Sequence, residues 1–565
     1  MFLPRQLNQV IRRAVWHGAV WFVASGAVAV QAAEKIDVLV FCPPAAKATL
    51  QPWLQHRQQQ GHQIQLTDPG PSAEAIRNEI RRVAQDQPLR HVILVGDVPS
   101  EAVANQADGS FTIPTQMVDA KVNVQWGSEP TIPSDNWLAD LDDDQIPDLA
   151  VARWPVSNLP ELQALVERIL RYELKPSEDA TWQRRINLVA GVGGFGALAD
   201  AVLETAARSF ITGGIPAGYQ TTMTYASWRS PYCPDPRSFR NVTLDRMNEG
   251  CLFWVYIGHG HRTGLDWIQV PAGVAPILRN EDVPHVQSTN GSPIAIFLSC
   301  YAGAFDDKED CLAERLLLQD QGPVAVIAGS RVTMPYAMTL LTSEMLDEYF
   351  VQRTSVLGDL FLNAKRKMAM DQGKGFQRKM VTAIAKAISP NPNDLLGERI
   401  EHLHLFNLFG DPLLRIRQAK PIKVKSPLVA APGEEIEIEV ASDVMGKCVI
   451  ELACRRGDFV QPIQRRKEFE NSDAFMALMN DIYALANQDC FHSHQCQLVQ
   501  MAEKVRIRIP EDAVNSCVIR CFAQNGTECS VGATVITIRA ADKNDDSTNS
   551  NPPALSAPDL LEANR

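Results

Sequence analysis

From Ile36 onward, short apolar runs alternate with amphipathic helical patterns, and this alternation restricts the fold more than any other feature of the chain. A continuous apolar run is typical of a strand buried on both faces, and strand–helix alternation is typical of parallel strands joined by crossover helices. The pattern predicts strands at residues 36–41, 64–66 and 91–95, and helices at residues 45–60 and 73–84. We therefore expect an α/β fold with mostly parallel sheets and flanking helices.

The alternation continues to residue 416, and we expect it to form two subdomains. It predicts helices at residues 158–173, 337–350, 357–370 and 376–388, strands at residues 186–190 and 323–328, and a last strand and turn at residues 405–416. A chain of 565 residues is too long for a single hydrophobic core. The boundaries that we expect are an N-terminal α/β subdomain at residues 34–178 and a catalytic α/β subdomain at residues 179–418.

Two of the apolar runs end in reactive side chains. One run begins at Cys251 and ends at His259, which lies between two glycines, and the other begins at Pro293 and ends at Cys300. Ligands and catalytic groups of open α/β sheets gather at the carboxyl ends of the strands. Neighbouring strands would therefore bring an imidazole and a thiol to the same edge of the sheet, which predicts an active site there.

The chemistry of these two side chains favours acyl transfer. A cysteine thiolate is a strong nucleophile, and a nearby imidazole can take up and return its proton. The pattern favours Cys300 as nucleophile and His259 as general acid/base, with His261 as the competing base. The backbone N–H groups of Gly260 and Cys300 are candidates for an oxyanion hole. The alternative for Cys300 is an inert core cysteine, which is the commoner role of a buried cysteine.

Residues 1–32 have the features of a cleavable signal peptide. Arg5, Arg12 and Arg13 form a basic start, an apolar run follows at residues 14–30, and Val-Gln-Ala offers a cleavage site near Ala32. A membrane anchor is the alternative, although the run is short for a span. No later segment is long and apolar enough to cross a bilayer. We expect export to the periplasm, cell surface or medium, without a membrane span after signal cleavage.

The net charge and the cysteine content limit which binding partners and which cellular compartment we expect. A net charge of -12, without a basic patch that contains aromatic residues, argues against a nucleic-acid partner. Twelve cysteines fit an exported protein, and seven of them lie between Cys448 and Cys529. Disulfides are expected in that region, with a connectivity that spacing does not define. The oligomeric state stays open.

The character of the chain changes after residue 418. Short β-type patterns at residues 422–424, 435–440, 448–453, 505–509, 517–523 and 534–539 predict a β-sandwich of the immunoglobulin-like type at residues 419–540. A more helical insertion is expected at about residues 465–501. The tail at residues 541–565 is rich in Asp, Asn, Ser and Pro and is predicted to be disordered.

An aspartate-rich loop is a candidate calcium site. Asp140, Asp142, Asp144 and Asp148 lie close together in the sequence, and hard carboxylate oxygens on one side of a tight loop suit Ca²⁺. The EF-hand spacing is absent, and a solvated acidic turn is the alternative.

The Gly-x-Gly-x-x-Gly pattern at residues 191–196 follows a predicted strand, as a dinucleotide-binding loop would. Such a loop also needs an acidic residue about twenty positions later to hold a ribose hydroxyl. No Asp or Glu occurs between Thr205 and Pro234. The pattern therefore favours a tight strand-to-helix turn, and a nucleotide-binding oxidoreductase stays only as a third hypothesis.

Together, these motifs resemble the caspase-like cysteine peptidases, and within that clan the gingipain-type family. The resemblance is carried by Tyr-Ile-Gly-His-Gly at residues 256–260, Ser-Cys-Tyr-Ala-Gly-Ala-Phe at 299–305, Cys-Leu-Ala-Glu-Arg at 311–315, Val-Ala-Val-Ile-Ala at 324–328 and Asn-Leu-Phe-Gly-Asp-Pro at 407–412. It spans roughly residues 36–417 and is specific only at these blocks.

The resemblance implies a secreted endopeptidase with a caspase-like catalytic unit of two subdomains, followed by an immunoglobulin-like domain. Cys300 would be the nucleophile and His259 the general acid/base, acting on protein or peptide substrates without a cofactor for catalysis. Calcium would have a structural role. Relatives that cleave after Arg or Lys use an acidic pocket group; Asp266 and Arg331 are the pocket candidates here, and the P1 preference stays open. A non-catalytic surface adhesin is the alternative function.

Overall fold

The computed structural model describes residues 35–99, 111–175, 179–192, 213–370, 376–388, 392–464 and 466–539. The predicted signal peptide, the predicted tail and the glycine motif beyond Val192 lie outside the described residues. Within them, no helix combines the length and the apolar character that crossing a bilayer requires.

Ten strands between Val38 and Gly410 form one large sheet. The strands of this part are β1 (Val38–Phe41), β2 (Ile64–Thr67), β3 (His91–Val95), β4 (Gln116–Asp119), β5 (Thr131–Ser134), β6 (Ala150–Trp154), β7 (Arg185–Ala190), β8 (Gln220–Tyr225), β9 (Phe253–Ile257), β10 (Gly260–His261), β11 (Gly264–Leu265), β12 (Trp267–Val270), β13 (Gly273–Pro276), β14 (Ile294–Leu298), β15 (Ala325–Gly329) and β16 (Phe406–Gly410). The order in the large sheet is β2-β1-β3-β6-β16-β15-β14-β9-β7-β8, and β4-β5, β10-β11 and β12-β13 form small hairpins.

The large sheet consists of two parallel halves. The first half is β2-β1-β3-β6-β16 and the second half is β15-β14-β9-β7-β8, with parallel pairing inside each half. The two halves meet at β15 and β16, which are antiparallel. The carboxyl ends of the strands therefore lie at opposite edges of the sheet in the two halves. The α/β prediction with mostly parallel sheets is confirmed.

Helices cover this sheet, and most lie where the apolar period predicts them. The α-helices are Ala46–Thr49, Gln51–Gln59, Ala73–Asp86, Leu159–Leu174, Phe239–Asn248, Leu312–Leu318, Pro335–Leu346, Leu357–Ala369, Phe376–Ile388 and Leu395–Leu405. Three begin at side-chain caps: Ser72 accepts from the Ala75 N–H (3.2 Å), Asn158 from the Glu161 N–H (3.0 Å) and Asp394 from the Gly397 N–H (3.0 Å). The central strands are buried on both faces, as in β14, where every residue is buried.

Asp411, in the Gly-Asp-Pro motif after β16, explains one of the distinctive sequence blocks. Its carboxylate is fully buried and accepts hydrogen bonds from the Trp53 indole, the Arg57 guanidinium (2.6 Å) and the Leu413 N–H (2.8 Å). A buried carboxylate is tolerated only with such partners. The motif therefore fastens the end of β16 to the helix Gln51–Gln59.

The region after residue 418 is rich in strands and has its own core. Its strands are β17 (Lys420–Pro421), β18 (Lys423–Lys425), β19 (Val429–Ala430), β20 (Glu435–Ala441), β21 (Gly446–Cys454), β22 (Cys490–Leu498), β23 (Ala502–Arg508), β24 (Asn515–Gln524) and β25 (Cys529–Ile538). One sheet has the order β17-β25-β24-β21-β22, with β19 also on β25, and the other is β18-β20-β23. The two sheets enclose one apolar cluster, consistent with the expected sandwich.

The predicted helical insertion at residues 465–501 is only partly helical. It contains the helix Asp473–Asn487, but β22 occupies its last part. β22 is an edge strand with several exposed polar side chains, so it lacks the apolar alternation that marks a strand in a sequence.

The helix Asp473–Asn487 covers the free edge of the large sheet at β8. The Asn487 side chain accepts from the Met223 N–H (2.8 Å) and donates to the Met223 carbonyl (3.0 Å). The Tyr483 and Thr224 hydroxyls form a further hydrogen bond of 2.8 Å. An uncovered edge strand exposes unpaired backbone groups that can pair with another chain, and this helix satisfies one residue of that edge.

Candidate active site

The register of β9 and β14 brings the two reactive loops together. The strands are parallel neighbours, with Ile257 opposite Leu298, and the Gly258 N–H donates to the Leu298 carbonyl (3.3 Å). The chain leaves both strands at the same edge of the sheet. His259 and Cys300 therefore follow from adjacent strand ends, as the sequence pattern predicts.

Two glycines let the histidine loop approach the cysteine loop. Gly258 has φ +155°, and a Cβ there would lie 2.7 Å from the Tyr256 hydroxyl. A Cβ on Gly260 would collide with the Cys300 carbonyl oxygen and come within 2.7 Å of the Ser299 hydroxyl. No side chain fits at either position without movement. The Gly260 backbone therefore packs directly on the backbone of Cys300.

The Tyr256 side chain holds the main chain of His259 in place. Its buried hydroxyl donates to the His259 carbonyl (2.8 Å) and accepts from the Asp266 N–H (3.4 Å). Burial raises the pKa of this phenol well above its usual value, so it stays a neutral donor. The His259 side chain is half-buried, whereas that of His261 is exposed. This difference favours His259 over His261 as the residue near the thiol.

The Cys300 thiol is half-buried and faces the loop after β15. The Thr333 N–H donates to Sγ (3.3 Å), and the Thr333 hydroxyl lies 3.7 Å from Sγ. Burial raises the pKa of the Cys300 thiol, and the Thr333 N–H acts in the opposite direction because it stabilises a thiolate. Thiolate formation therefore needs a proton acceptor such as an imidazole.

A clamp of three side chains, Tyr301, Glu129 and Arg262, connects both reactive loops to the first half of the chain. Tyr301 directly follows the cysteine and has φ +57°, and its hydroxyl donates to Glu129 (2.7 Å). Arg262, three residues after His259, donates to the same carboxylate (2.5 Å), and its guanidinium carbon lies 4.6 Å from the centre of the Tyr301 ring. Burial opposes ionisation of Glu129, but Tyr301 and Arg262 outweigh it and lower its pKa to about 2.

Comparison with known proteins decides the family. The model of Peptidase family C25 matches residues 31–417, which is more than half of the chain. The chain belongs to this family, the gingipain family. It is therefore a member of a cysteine peptidase family, and the substrates of such a family are proteins.

Two solved structures share the fold of this peptidase. One is the complex of the RgpB pro- and mature domains from Porphyromonas gingivalis (15% identity, 89% of this chain and 100% of that chain, TM-score 0.50). The other is the Arg-specific cysteine proteinase gingipain R (16% identity, 90% of this chain and 99% of that chain, TM-score 0.50). The identities are low, so the likeness concerns the fold. A search of curated proteins finds no match.

The two predicted pocket residues of the peptidase have different surroundings. Arg331 is buried; it donates to Asp306 (2.8 Å) and to the Thr131 carbonyl (3.1 Å), so its guanidinium holds these two segments together. Asp266 is half-buried beside the histidine loop, where its carboxylate accepts from the Trp267 N–H (2.8 Å) and lies against Gly191. Of the two, Asp266 is the more exposed.

The Asp266 carboxylate also lies next to the start of the Gly-x-Gly-x-x-Gly pattern at residues 191–196. Gly191 is packed against the Tyr256 hydroxyl and Asp266, at the end of β7. A negative charge at this point would repel the diphosphate of a dinucleotide. The described part of the motif therefore favours a tight turn beside the reactive loops.

The aspartate loop brings three of its four predicted ligands together. Ligand oxygens of Asp140, Asp142 and Asp148 all lie within 4.8 Å of one another. Asp144 is not in this group; its carboxylate accepts from the Ile146 N–H (2.7 Å). Arg77 also contacts Asp140 (3.2 Å) and Arg366 contacts Asp148 (3.3 Å), so two of the three grouped carboxylates already have a positive partner.

Thr333, Glu129 and the residues that hold them are absent from the sequence-based prediction. They lie on loops far in sequence from both reactive residues, and no spacing rule connects them. The helix Leu395–Leu405 is also missing, because its last apolar residues merge with β16 into one apparent strand. Asp394, which caps this helix by accepting from the Gly397 N–H (3.0 Å), is the signal that could have indicated it.

Proposed function

We propose that the chain is an exported cysteine endopeptidase in which Cys300 is the nucleophile and His259 the general acid/base. The main support is the packing of Gly260 on the Cys300 backbone, because it joins the imidazole-bearing and thiol-bearing loops at one edge of the sheet. Membership of a cysteine peptidase family supports the same roles.

The proposed reaction has two stages. His259 takes the proton of the Cys300 thiol, and the thiolate attacks the carbonyl carbon of the scissile peptide bond. His259 then returns the proton to the leaving amine, the C–N bond breaks and a thioester remains on Cys300. In the second stage His259 removes a proton from water, hydroxide attacks the thioester, and the carboxylic product leaves as the thiol is restored.

The oxyanion of each tetrahedral intermediate needs donors close to Cys300. We assign this role to the backbone N–H groups of Gly260 and Cys300, because these two residues are in direct contact. A side chain at position 260 would displace one donor from the other.

The first test compares alanine variants by hydrolysis of a mixed peptide library. Cys300→Ala should lower kcat/KM by at least about 10⁴-fold with little change in Tm. His259→Ala should have a similar effect, whereas His261→Ala, with an exposed imidazole two residues away, is the matched control and should retain activity. Hydrolysis by Cys300→Ala at the wild-type rate would remove the proposal. A Cys300 that iodoacetamide does not alkylate would favour the adhesin alternative.

Asp266 is our proposal for the acidic group of the P1 pocket. Gingipain R is described as Arg-specific, and Asp266 is the half-buried carboxylate beside the histidine loop. Profiling cleavage sites in the same library should show a preference for Arg or Lys at P1 that Asp266→Asn weakens. An unchanged P1 profile in Asp266→Asn would assign specificity elsewhere.

Calcium at the aspartate loop is a further proposal, with a structural role. Three carboxylates whose oxygens lie within 4.8 Å match the hard donors that Ca²⁺ prefers, and Asp140, Asp142 and Asp148 would hold it. Millimolar Ca²⁺ should raise Tm relative to a chelator, and Asp142→Asn should remove most of the increase. Equal Tm values in Ca²⁺ and chelator would reject the site.

Export is proposed from the N-terminal sequence alone. Mass spectrometry of protein recovered from outside the cytoplasm should find a mature N-terminus after about Ala32. An intact Met1 on membrane-bound protein would favour the anchor instead.

A further inference from the structure

The loop that contacts the Cys300 thiol is held by a buried histidine, His402. The Met334 N–H, one residue after Thr333, donates to His402 Nε2 (2.7 Å), and His402 Nδ1 lies 2.7 Å from the Glu398 carbonyl oxygen. His402 is 1% exposed and lies on the helix Leu395–Leu405. A chain of contacts therefore leads from this helix to Sγ.

The partners of His402 define its tautomer. A backbone N–H can only donate, so Nε2 must carry no proton. A carbonyl oxygen can only accept, so Nδ1 must carry the proton. The ring is thus neutral with the proton on Nδ1, and burial, which lowers its pKa to about 4, agrees with this form. A second proton on Nε2 would face the Met334 N–H and break the contact.

The peptide unit between Thr333 and Met334 lies between His402 and the thiol. Its N–H donates to His402, and its carbonyl oxygen, that of Thr333, lies 3.8 Å from Cys300 Sγ. Contacts elsewhere in the loop hold other peptide units: the Ser330 N–H donates to the Leu405 carbonyl (2.9 Å). Because the orientation of one peptide unit is coupled to that of the next, the His402 bond also affects where the Thr333 N–H points.

We propose that His402 is a positioning residue for the nucleophile: by accepting the Met334 N–H it directs the Thr333 N–H at Cys300 Sγ and so stabilises the thiolate. This inference rests on the proposed role of Cys300. His402 acts on Sγ through the loop and is not itself a catalytic residue. The consequence is a thiol that ionises more readily than its burial alone would allow.

The experiment measures the ionisation of the thiol itself. The rate of alkylation of Cys300 by iodoacetamide is followed against pH, with the modified cysteine identified by peptide mapping. His402→Leu should move the alkylation midpoint upward by about one pH unit. The reason is that the Thr333 N–H, no longer directed at Cys300 Sγ, would not stabilise the thiolate. His402→Gln, whose side-chain oxygen can accept the Met334 N–H, should restore part of the shift.

His404 provides a matched control on the same helix. It is also a buried histidine, but its Nδ1 lies 3.2 Å from the Ser134 hydroxyl, whereas the Met334 N–H donates to His402. His404→Leu should lower stability to a similar extent without moving the alkylation midpoint. Equal shifts in His402→Leu and His404→Leu, or none in His402→Leu, would overturn the proposal. Since alkylation needs no turnover, a result here is separate from whether the chain hydrolyses peptides.

The strand-rich region carries a second, independent inference about its cysteines. Cys448 on β21 lies directly opposite Cys496 on β22, and Cys454 on β21 lies directly opposite Cys517 on β24. The Cys448 and Cys496 thiols are within hydrogen-bond reach of each other. Directly opposite residues of antiparallel strands have Cα atoms about 4.5–5.5 Å apart, inside the range that a disulfide spans.

The register also excludes an alternative pairing. Cys521 lies opposite Ile450, so it is diagonal to Cys448. Diagonal neighbours are about 7–8 Å apart, which is beyond the reach of a disulfide without backbone movement. We infer that the mature protein forms Cys448–Cys496 and Cys454–Cys517.

Each bond forms by exchange with a disulfide oxidant. One thiolate attacks the oxidant and releases a thiolate from it, and the second thiolate then displaces the remaining half, so two protons and two electrons leave each cysteine pair. Reduced protein treated with oxidised glutathione should yield, after digestion without reductant, peptides joined at these two pairs. A Cys448–Cys521 link, or four cysteines that all remain open to alkylation, would contradict the assignment.

Discussion

The two halves of the large sheet have the same construction but carry different side chains at their strand ends. Each consists of parallel strands, buried at the centre of the sheet, with a glycine at one strand end: Gly96 after β3 in the first half and Gly258 after β9 in the second. The glycines have nearly identical φ angles, +156° and +155°. Yet a reactive imidazole follows one of them, whereas a buried carboxylate, Asp97, follows the other.

The difference lies in what the neighbouring strand end supplies. In the second half, β9 and β14 leave the sheet side by side with a histidine and a cysteine. In the first half, Asp97 turns inward towards Glu314, and burial raises the pKa of both carboxyl groups. The first half contributes to the site indirectly, through loops that carry Glu129.

The largest effect on stability is expected in the first half, at Asp411. Asp411→Ala should lower the free energy of unfolding by about 3–5 kcal/mol, because it leaves the buried Arg57 guanidinium without one of its carboxylates. Denaturant titration measures this. Glu173, which also contacts Arg57 (2.8 Å), is the second partner. A loss below about 1 kcal/mol would show that Glu173 alone satisfies the charge.

Alanine substitutions at Gly258 and Gly96 test whether only the second half of the sheet affects catalysis. Gly258→Ala should lower kcat/KM at least about 100-fold, since a Cβ would strike the Tyr256 hydroxyl and displace His259. Gly96→Ala imposes the same backbone strain, worth about 1–3 kcal/mol of stability, and should leave kcat/KM within about threefold. Steady-state kinetics and Tm on both variants give the comparison. Similar kinetic losses in the two would mean that the halves are not functionally separate.

Glu129 tests how far the first half supports catalysis. Glu129→Gln weakens the clamp on Tyr301 and Arg262, and kcat/KM should fall about tenfold as both reactive loops loosen. Tyr301→Phe removes one contact of the same clamp, so the double variant should lose less than the two single losses combined. Additive losses would indicate that the two side chains act separately.

The smallest effect is a pH dependence of stability that belongs to the first half. Burial raises the pKa of Asp97 to about 6, although its hydrogen bond to the Val98 N–H and the nearby Arg153 oppose this. A raised carboxyl pKa means that the folded state binds the proton more tightly, so this contribution is full below about pH 4 and is lost as pH rises through about 6. Tm should therefore fall less between pH 4 and 7 in Asp97→Asn than in the wild type. The same fall in Tm between pH 4 and 7 in both proteins would contradict the raised pKa of Asp97.

Local pattern predicts the central strands of the second half, although it misses the edge strand β8. The apolar runs ending at His259 and Cys300, and the glycines beside the histidine, are visible in the sequence because burial on both faces demands uninterrupted apolar residues. β22 and the helix Leu395–Leu405 escape prediction because a polar edge strand has no apolar alternation and because a helix that runs straight into a strand has no visible end.

Sequence alone determined the α/β class, the two strands that carry the reactive pair and the strand-rich region that follows, because each depends on the periodicity of side chains within one short segment. Tertiary structure alone decided what surrounds the thiol. Thr333, Glu129 and His402 reach the site from three distant segments, and their contacts depend on the antiparallel meeting of β15 and β16. Hydrogen bonds act over about 3 Å in space, whatever the separation along the chain.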